Sequence, residues 1–278
     1  YDTWSAPACD VLLVIKERPP APFLEAARGR GSKIVYCPID MHQDCASLDA
    51  DAAVLCACDL VLVHAERLLP LVQRHCANAH FVEHHVRFAT ADLAAFKAAG
   101  YVLWVGGCQY VPYLLRWLDR HPLQGELRIL TDIDNYRARH AARVLAATIG
   151  VKLVLPRHGT HISGHPVFRW SERRQAEMMR ACKASMDVKA TDHFNQMHKP
   201  PTKAQQMIAS GVPFAVNPES YSAAYFRQRA FPVASPAEPD RWFSREYWEA
   251  TRRRAEILRA ELSLEAVGAR YRSLIDTL

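Results

Sequence analysis

The feature that most constrains the fold is a repeated alternation of short apolar runs with helical stretches. Val11–Ile15, Lys33–Ile39, Leu60–His64 and His80–His85 read as strands, separated by helical segments at 19–30, 44–58 and 66–76. A second series follows. Strands are predicted over Tyr101–Val105, Leu127–Ile133, Lys152–Leu155, Ser185–Val188 and Pro213–Val216, with helices over 110–120, 136–149, 172–183 and 202–210. Continuous β-branched runs that alternate with helices imply parallel sheets covered on both faces. The expectation is therefore an α/β protein of two Rossmann-like domains. They are placed at 1–88 and 89–238 and joined by a helix over Thr90–Ala99. A helical tail at 239–278 is expected to pack back across them, its second helix capped by Ser263. Phe231–Val233 reads as a last short strand, and Pro156–Trp170 as a loop rich in His, Gly and Thr.

Composition narrows the class. The chain has 278 residues, 50% of them hydrophobic and 23% charged, an ordinary globular balance. No run approaches the length of a membrane span. Residues 1–9 lack the order of a signal peptide, and the missing initiator Met predicts a trimmed chain. Eight cysteines without a CxxC pair are expected to be reduced thiols, which predicts a cytoplasmic protein. The net charge of +6 fits an anionic ligand or peripheral contact with an anionic membrane at its inner face. Nucleic acid is not expected, because no binding motif accompanies the charge. No GxGxxG follows the first strand, which disfavours a dehydrogenase.

The stretch His198–Asn217 carries the chemistry. Thr202 and Gln205 have capping-box spacing at the start of a helix. Ala204, Met207 and Ile208 form its apolar face, and Lys203, Gln206 and Ser210 a polar stripe. Gly211 and Pro213 end it before a buried strand. Such a helix start suits an anion. Lys203 is the candidate to neutralise a diphosphate, Lys199 a further cationic contact, and Thr202 a cap or a ligand.

Gly106-Gly107, after a strand, would let backbone approach phosphate or simply make a turn. Arg137 could grip phosphate or pair with Asp132 and Asp134. Asp40 closes the second strand. Either Asp40 or His42 could act as a general base, and Asp40 could equally cap a turn. His158, His161 and His165 have spacings of three and four in the predicted loop, with no carboxylate or thiol to complete a metal set. No metal and no cofactor is expected.

The run Lys203-Ala-Gln-Gln206-Met-Ile-Ala209-Ser-Gly211-Val-Pro213 resembles the Lys, Glu-Ala, Ala-x-Gly-x-Pro pattern of the GT-B glycosyltransferases. The similarity is to the retaining group known as family 4 or group 1. Trp170-Ser-Glu, Cys182-Lys-Ala-Ser-Met-Asp187 and Cys58-Asp-Leu-Val-Leu-Val-His64 resemble further parts of it, over roughly residues 33–278. That group has two glutamates where this chain has His198 and Gln206, and an aspartate where it has Arg87. The resemblance implies a metal-independent transferase that moves a sugar from a nucleotide-diphosphate donor to a glycan, lipid-linked or small-molecule hydroxyl. A cell-envelope polysaccharide is the implied product. It places His198 at the donor sugar and Gln206 at the ribose. The alternatives are a non-catalytic GT-B-like binding protein and a nucleotide-sugar epimerase of similar architecture.

Overall fold

The computed structural model describes residues 5, 7–155 and 160–278. The chain divides into two compact units. Unit 1 comprises Tyr1–His85, Thr191–Pro201 and Glu261–Leu278. Unit 2 comprises Val86–Ala190 and Thr202–Ala260. The chain thus leaves and re-enters each unit, and the expected tail forms no body of its own. Helix Arg245–Glu261 falls in unit 2 but for its last residue, and helix Leu264–Ile275 lies in unit 1. Ser263 caps the latter by accepting from the Ala266 amide at 3.1 Å.

Unit 1 contains a four-stranded sheet of β1 (Val11–Ile15), β2 (Lys33–Cys37), β3 (Leu60–Val63) and β4 (Ala79–Phe81). They lie in that order and all pair in parallel. Apart from Lys33 the middle strands are buried, with Ile34, Val35, Tyr36, Leu60, Val61 and Leu62 at 0% exposure. This is why their sequences read as unbroken apolar runs.

Unit 2 contains β5 (Val102–Val105), β6 (Leu127–Thr131), β7 (His161–Ile162), β8 (His165–Arg169), β9 (Ala184–Asp187) and β10 (Phe214–Val216). Their spatial order is β10-β9-β5-β6-β8-β7, parallel except for β7. From β5 the chain winds outward through β6 and β8. It then returns to the other side of β5 for β9 and β10. This reversal makes a topological switch point at the carboxyl ends of β5 and β9, the place where open α/β sheets bind ligands.

Four expectations give way. The predicted helix over Thr90–Ala99 is absent, because its backbone groups are committed elsewhere. Arg259 donates to the carbonyls of Thr90 at 2.6 Å and Ala91 at 2.8 Å, and to Ala209 at 2.7 Å. Trp248 Nε1 donates to Ala94 O, and the amides of Thr90 and Ala94 donate to Ser210. Tertiary partners override an Ala-rich helical propensity.

The predicted loop before Trp170 contains β8, which pairs with β6 through Ile129 and Val167. Ser163 and Gly164, at φ 48° and 87°, form the two-residue turn between β7 and β8. Both residues have positive φ, as a primed hairpin turn requires. Lys152–Leu155 forms no strand; Leu153 and Leu155 pack against Ala138 and Ala142 instead. Phe231–Val233 is likewise not a strand, and only an isolated bridge joins Ala215 to Ala234.

Candidate functional site

The site in unit 2 is built from a buried acid. β9 is buried along its whole length, yet it ends in Asp187. A carboxylate taken out of water needs cations beside it. Here Lys203 Nζ lies 2.9 Å from Oδ1 and Lys189 Nζ lies 2.9 Å from Oδ2. Burial alone would raise this carboxyl, but the two ammonium groups outweigh it and hold it at about 2. Asp187 is therefore ionised at any ordinary pH.

The lysines are held by separate means. Lys189 follows β9, and its backbone is tied to the end of β10. Its amide donates to Asn217 Oδ1 at 2.8 Å, and its carbonyl accepts from Asn217 Nδ2 at 3.3 Å. Lys203 sits in the first turn of helix Thr202–Ala209, with its Nζ 5.0 Å from the Trp104 ring centroid. Trp104 is 1% exposed and ends two residues before Gly106. A Cβ at Gly106 would lie 2.6 Å from the Trp104 ring and 3.3 Å from Lys203 Nζ. The glycine thus lets the turn after β5 close over the indole.

The other predicted residues are placed as follows. A Cβ at Gly107 would meet only the movable end of the Gln109 side chain, at 2.5 Å, so this position does not demand a glycine as Gly106 does. The next amide, Cys108 N, already donates to Asp132 Oδ1 at 2.7 Å. Asp134 pairs with Arg169, not with Arg137, which is exposed on helix Tyr136–Thr148. Thr202 is the first residue of its helix, one position inside the cap expected for it. Gln206 is half-buried, whereas Ser210 leaves the expected polar stripe. It is 0% exposed and anchors the Thr90–Ala94 segment.

The stretch His198–Asn217 is divided at Pro201. His198 and Lys199 belong to unit 1, while Thr202, Lys203 and Gln206 belong to unit 2. His198 lines a small cavity with Asp40, His42, Leu68, Phe194 and Asn195, all from unit 1. Its ring packs at a tilt against Phe194, centroids 4.0 Å apart, and Nδ1 lies 2.8 Å from Phe194 O.

The two candidate bases differ in access. His42 is 4% exposed, and its Nε2 faces Asp51 Oδ2 at 3.1 Å. Burial pushes it below the ordinary histidine range despite Asp51, so it is neutral. Asp40, in the left-handed region at φ 57°, keeps a side chain 31% exposed beside Lys16. Asn195 Nδ2 donates to Asp40 O at 3.2 Å and fixes this corner.

Sequence reasoning also passed over the edge formed by β3 and β4. His64 is buried, its Nδ1 lies 2.6 Å from Val82 O, and its ring stacks on His84 at 4.0 Å. Burial, with His64, His85 and Lys16 nearby, lowers His84 to about 3. The signal for Asp187 and Lys189 was an acid closing a buried strand with a lysine two residues on. No comparable pattern marks the His64–His84 stack.

His158 lies outside the described residues. Among the described residues no cluster of three His, Cys, Asp or Glu side chains could hold a metal ion. All eight cysteines are free. No helix of the described residues is long and apolar enough to cross a membrane.

No protein-family model and no curated protein matches the chain. Solved structures do. Anabaena HepE, in complex with UDP and glucose, aligns over 97% of this chain and 78% of its own, at 9% identity and a TM-score of 0.63. A trehalose-6-phosphate synthase studied for glycosyl transfer with retention aligns over 97% and 74%, at 12% identity and a TM-score of 0.56. A chain from the complex of accessory secretory proteins 1, 2 and 3 of Streptococcus pneumoniae aligns over 96% of this chain, at 10% identity and a TM-score of 0.54. The present chain spans only 53% of that one. At these identities the likeness establishes architecture: the two α/β sheets have the GT-B fold.

Proposed function

We propose that unit 2 binds a nucleotide-diphosphate sugar at the carboxyl ends of β5 and β9, and that the protein transfers the sugar to an acceptor hydroxyl. The observation that carries this reading is the Lys189–Asp187–Lys203 arrangement at the switch point. Two ammonium groups converge on one buried carboxylate at the strand ends, where a diphosphate is to be held. Lys203 stabilises the leaving diphosphate, which gains charge as the glycosidic bond breaks. The helix start at Thr202 adds its dipole. Gln206 hydrogen-bonds hydroxyls of the donor through its amide.

In unit 1, the more exposed Asp40 serves better than the buried His42 as a partner for the acceptor hydroxyl. His198 contributes to that pocket rather than to the diphosphate. Transfer with retention and without a bound metal follows from the sequence resemblance. A glycan or lipid-linked acceptor of the cell envelope, handled on the cytoplasmic side, is the corresponding biological setting. The neighbour solved with UDP and glucose supports a uridine nucleotide as the first donor to test.

Titration calorimetry with UDP and GDP tests the site. Micromolar to millimolar binding is expected, weakened at least tenfold in Lys203→Ala. Absence of binding to either nucleotide at millimolar concentration would remove the reading.

A second reading is a GT-B-like binding protein without turnover. It is favoured by the neutral Gln206 and by the closure of His42 against Asp51. Release of free glucose or transfer from radiolabelled UDP-glucose, even slowly, excludes it.

A further inference from the structure

One flank of unit 2 has an extreme charge pattern. From Asn135 to Ser171 the sequence contains no Asp or Glu; Arg169 within this block pairs with Asp134, while Arg137, Arg143 and Lys152 are exposed. The structure sorts part of this block by face. Helix Tyr136–Thr148 buries Ala138, Ala142 and Ala146, and on the opposite side exposes Tyr136, Arg137, His140, Arg143 and Val144. Arg137 and Arg143 make no ion pair among the described residues. After the helix, Leu153 and Leu155 pack inward against that alanine face, and Lys152 and Val154 between them are exposed.

The apolar side chains of this flank matter as much as its charge. Eight large hydrophobic residues are exposed among those described, and four of them lie in this block. They are Tyr136 at 75%, Val144 at 54%, Val154 at 54% and Trp170 at 40%, the last held against Phe88 and Gln175 rather than on the helix face. A purely electrostatic partner would pair the arginines and leave these side chains in water. A bilayer surface satisfies both. Anionic headgroups meet the guanidinium groups, while aromatic and aliphatic tips enter the headgroup boundary.

We propose that the solvent face of helix Tyr136–Thr148, together with Lys152 and Val154, docks unit 2 on an anionic phospholipid surface. The contact is independent of whether the protein turns over a nucleotide sugar. It needs no membrane-spanning segment.

Co-sedimentation of the full chain with phosphatidylcholine vesicles, with and without 30% phosphatidylglycerol, tests it. Binding is expected only with phosphatidylglycerol. Each arginine near an anionic surface is worth about fivefold in partitioning, so Arg137→Gln/Arg143→Gln should weaken binding about 25-fold. Arg253→Gln/Arg272→Gln removes the same charge from exposed positions outside the block and should change it less than threefold. Tyr136→Ser/Val144→Ser should weaken vesicle binding while leaving retention on duplex DNA unchanged.

Three results overturn the proposal: no binding to phosphatidylglycerol vesicles, equal losses from the two arginine pairs, or vesicle binding indifferent to Tyr136 and Val144. The last, with tight retention on DNA, would make the flank a nucleic-acid surface instead.

Discussion

A cluster of buried ionisable groups in each unit is handled in an opposite way. Unit 2 buries a charged acid and keeps it charged by placing Lys189 and Lys203 against Asp187. Unit 1 buries bases and keeps them neutral, as His42, His64 and His84 show. Their sheets differ in the same sense. The four strands of unit 1 follow one another in a single direction, whereas unit 2 reverses around β5. A reversal splays the loops after β5 and β9 apart and leaves room for charged side chains to converge. A sheet wound in one direction stacks successive strand ends side by side, so the residues there pack on one another. His64 on His84 is such a contact.

Acid should separate the units most strongly. A histidine neutral when folded takes up a proton on unfolding below its ordinary value of about 6.5. The unfolded chain then binds more protons than the native one. Unit 1 therefore keeps its full stability above about pH 6.5 and loses it progressively as pH falls toward 3, where His84 itself titrates. Asp187 acts in a lower window. Its stabilisation is present above the ordinary carboxyl value of about 3.9 and is lost only as pH falls toward 2. Hydrogen exchange followed from pH 7 to 3.5 should show β3 and β4 opening before β5 and β9. Opening of both sheets together, or of unit 2 first, would break the contrast.

Removing the buried acid probes the other half of the comparison. Asp187→Ala leaves two lysines facing each other at the end of β9 and should cost about 3 kcal/mol, measured by urea unfolding of unit 2. The lysines retain some solvent contact, so the lower end of the usual range applies. His84→Phe, which replaces a neutral half-buried ring by another, should cost less than half as much at pH 7.5. It should also flatten the acid dependence of unit 1.

A smaller effect sharpens the role of the turn after β5. Gly106→Ala drives a methyl into the Trp104 ring, which must shift. Overpacking of this kind costs about 1–2 kcal/mol. Because Lys203 lies against the same indole, nucleotide affinity should fall along with stability. Gly107→Ala meets only the flexible end of Gln109 and should leave affinity within twofold.

Much of this was legible in the sequence, because parallel strands buried on both faces announce themselves as apolar runs. The α/β class, the two series of strands and the helix that bears Lys203 all follow from periodicity and punctuation, which are local. The errors occur where distant groups decide. Thr90–Ala99 has helical composition but yields its carbonyls to Arg259 and Trp248. β8 contains Pro166 and follows a His- and Gly-rich stretch, and exists because β6 offers it a partner. His198 reads as part of one motif with Gln206, yet the chain changes unit between them at Pro201.

The sequence by itself determined the elements and the residue types that chemistry at this site requires. Tertiary structure alone decided which of them meet. Lys189 follows the acid Asp187 by two residues, but Lys203 lies in a separate element, the helix between β9 and β10. The pairing of β10 with β9 sets that helix beside the end of β9, so that both ammonium groups lie within 3 Å of the shared carboxylate. Strand order is set by which faces can be covered and by the hand of each crossover, a competition among whole elements that no local pattern records.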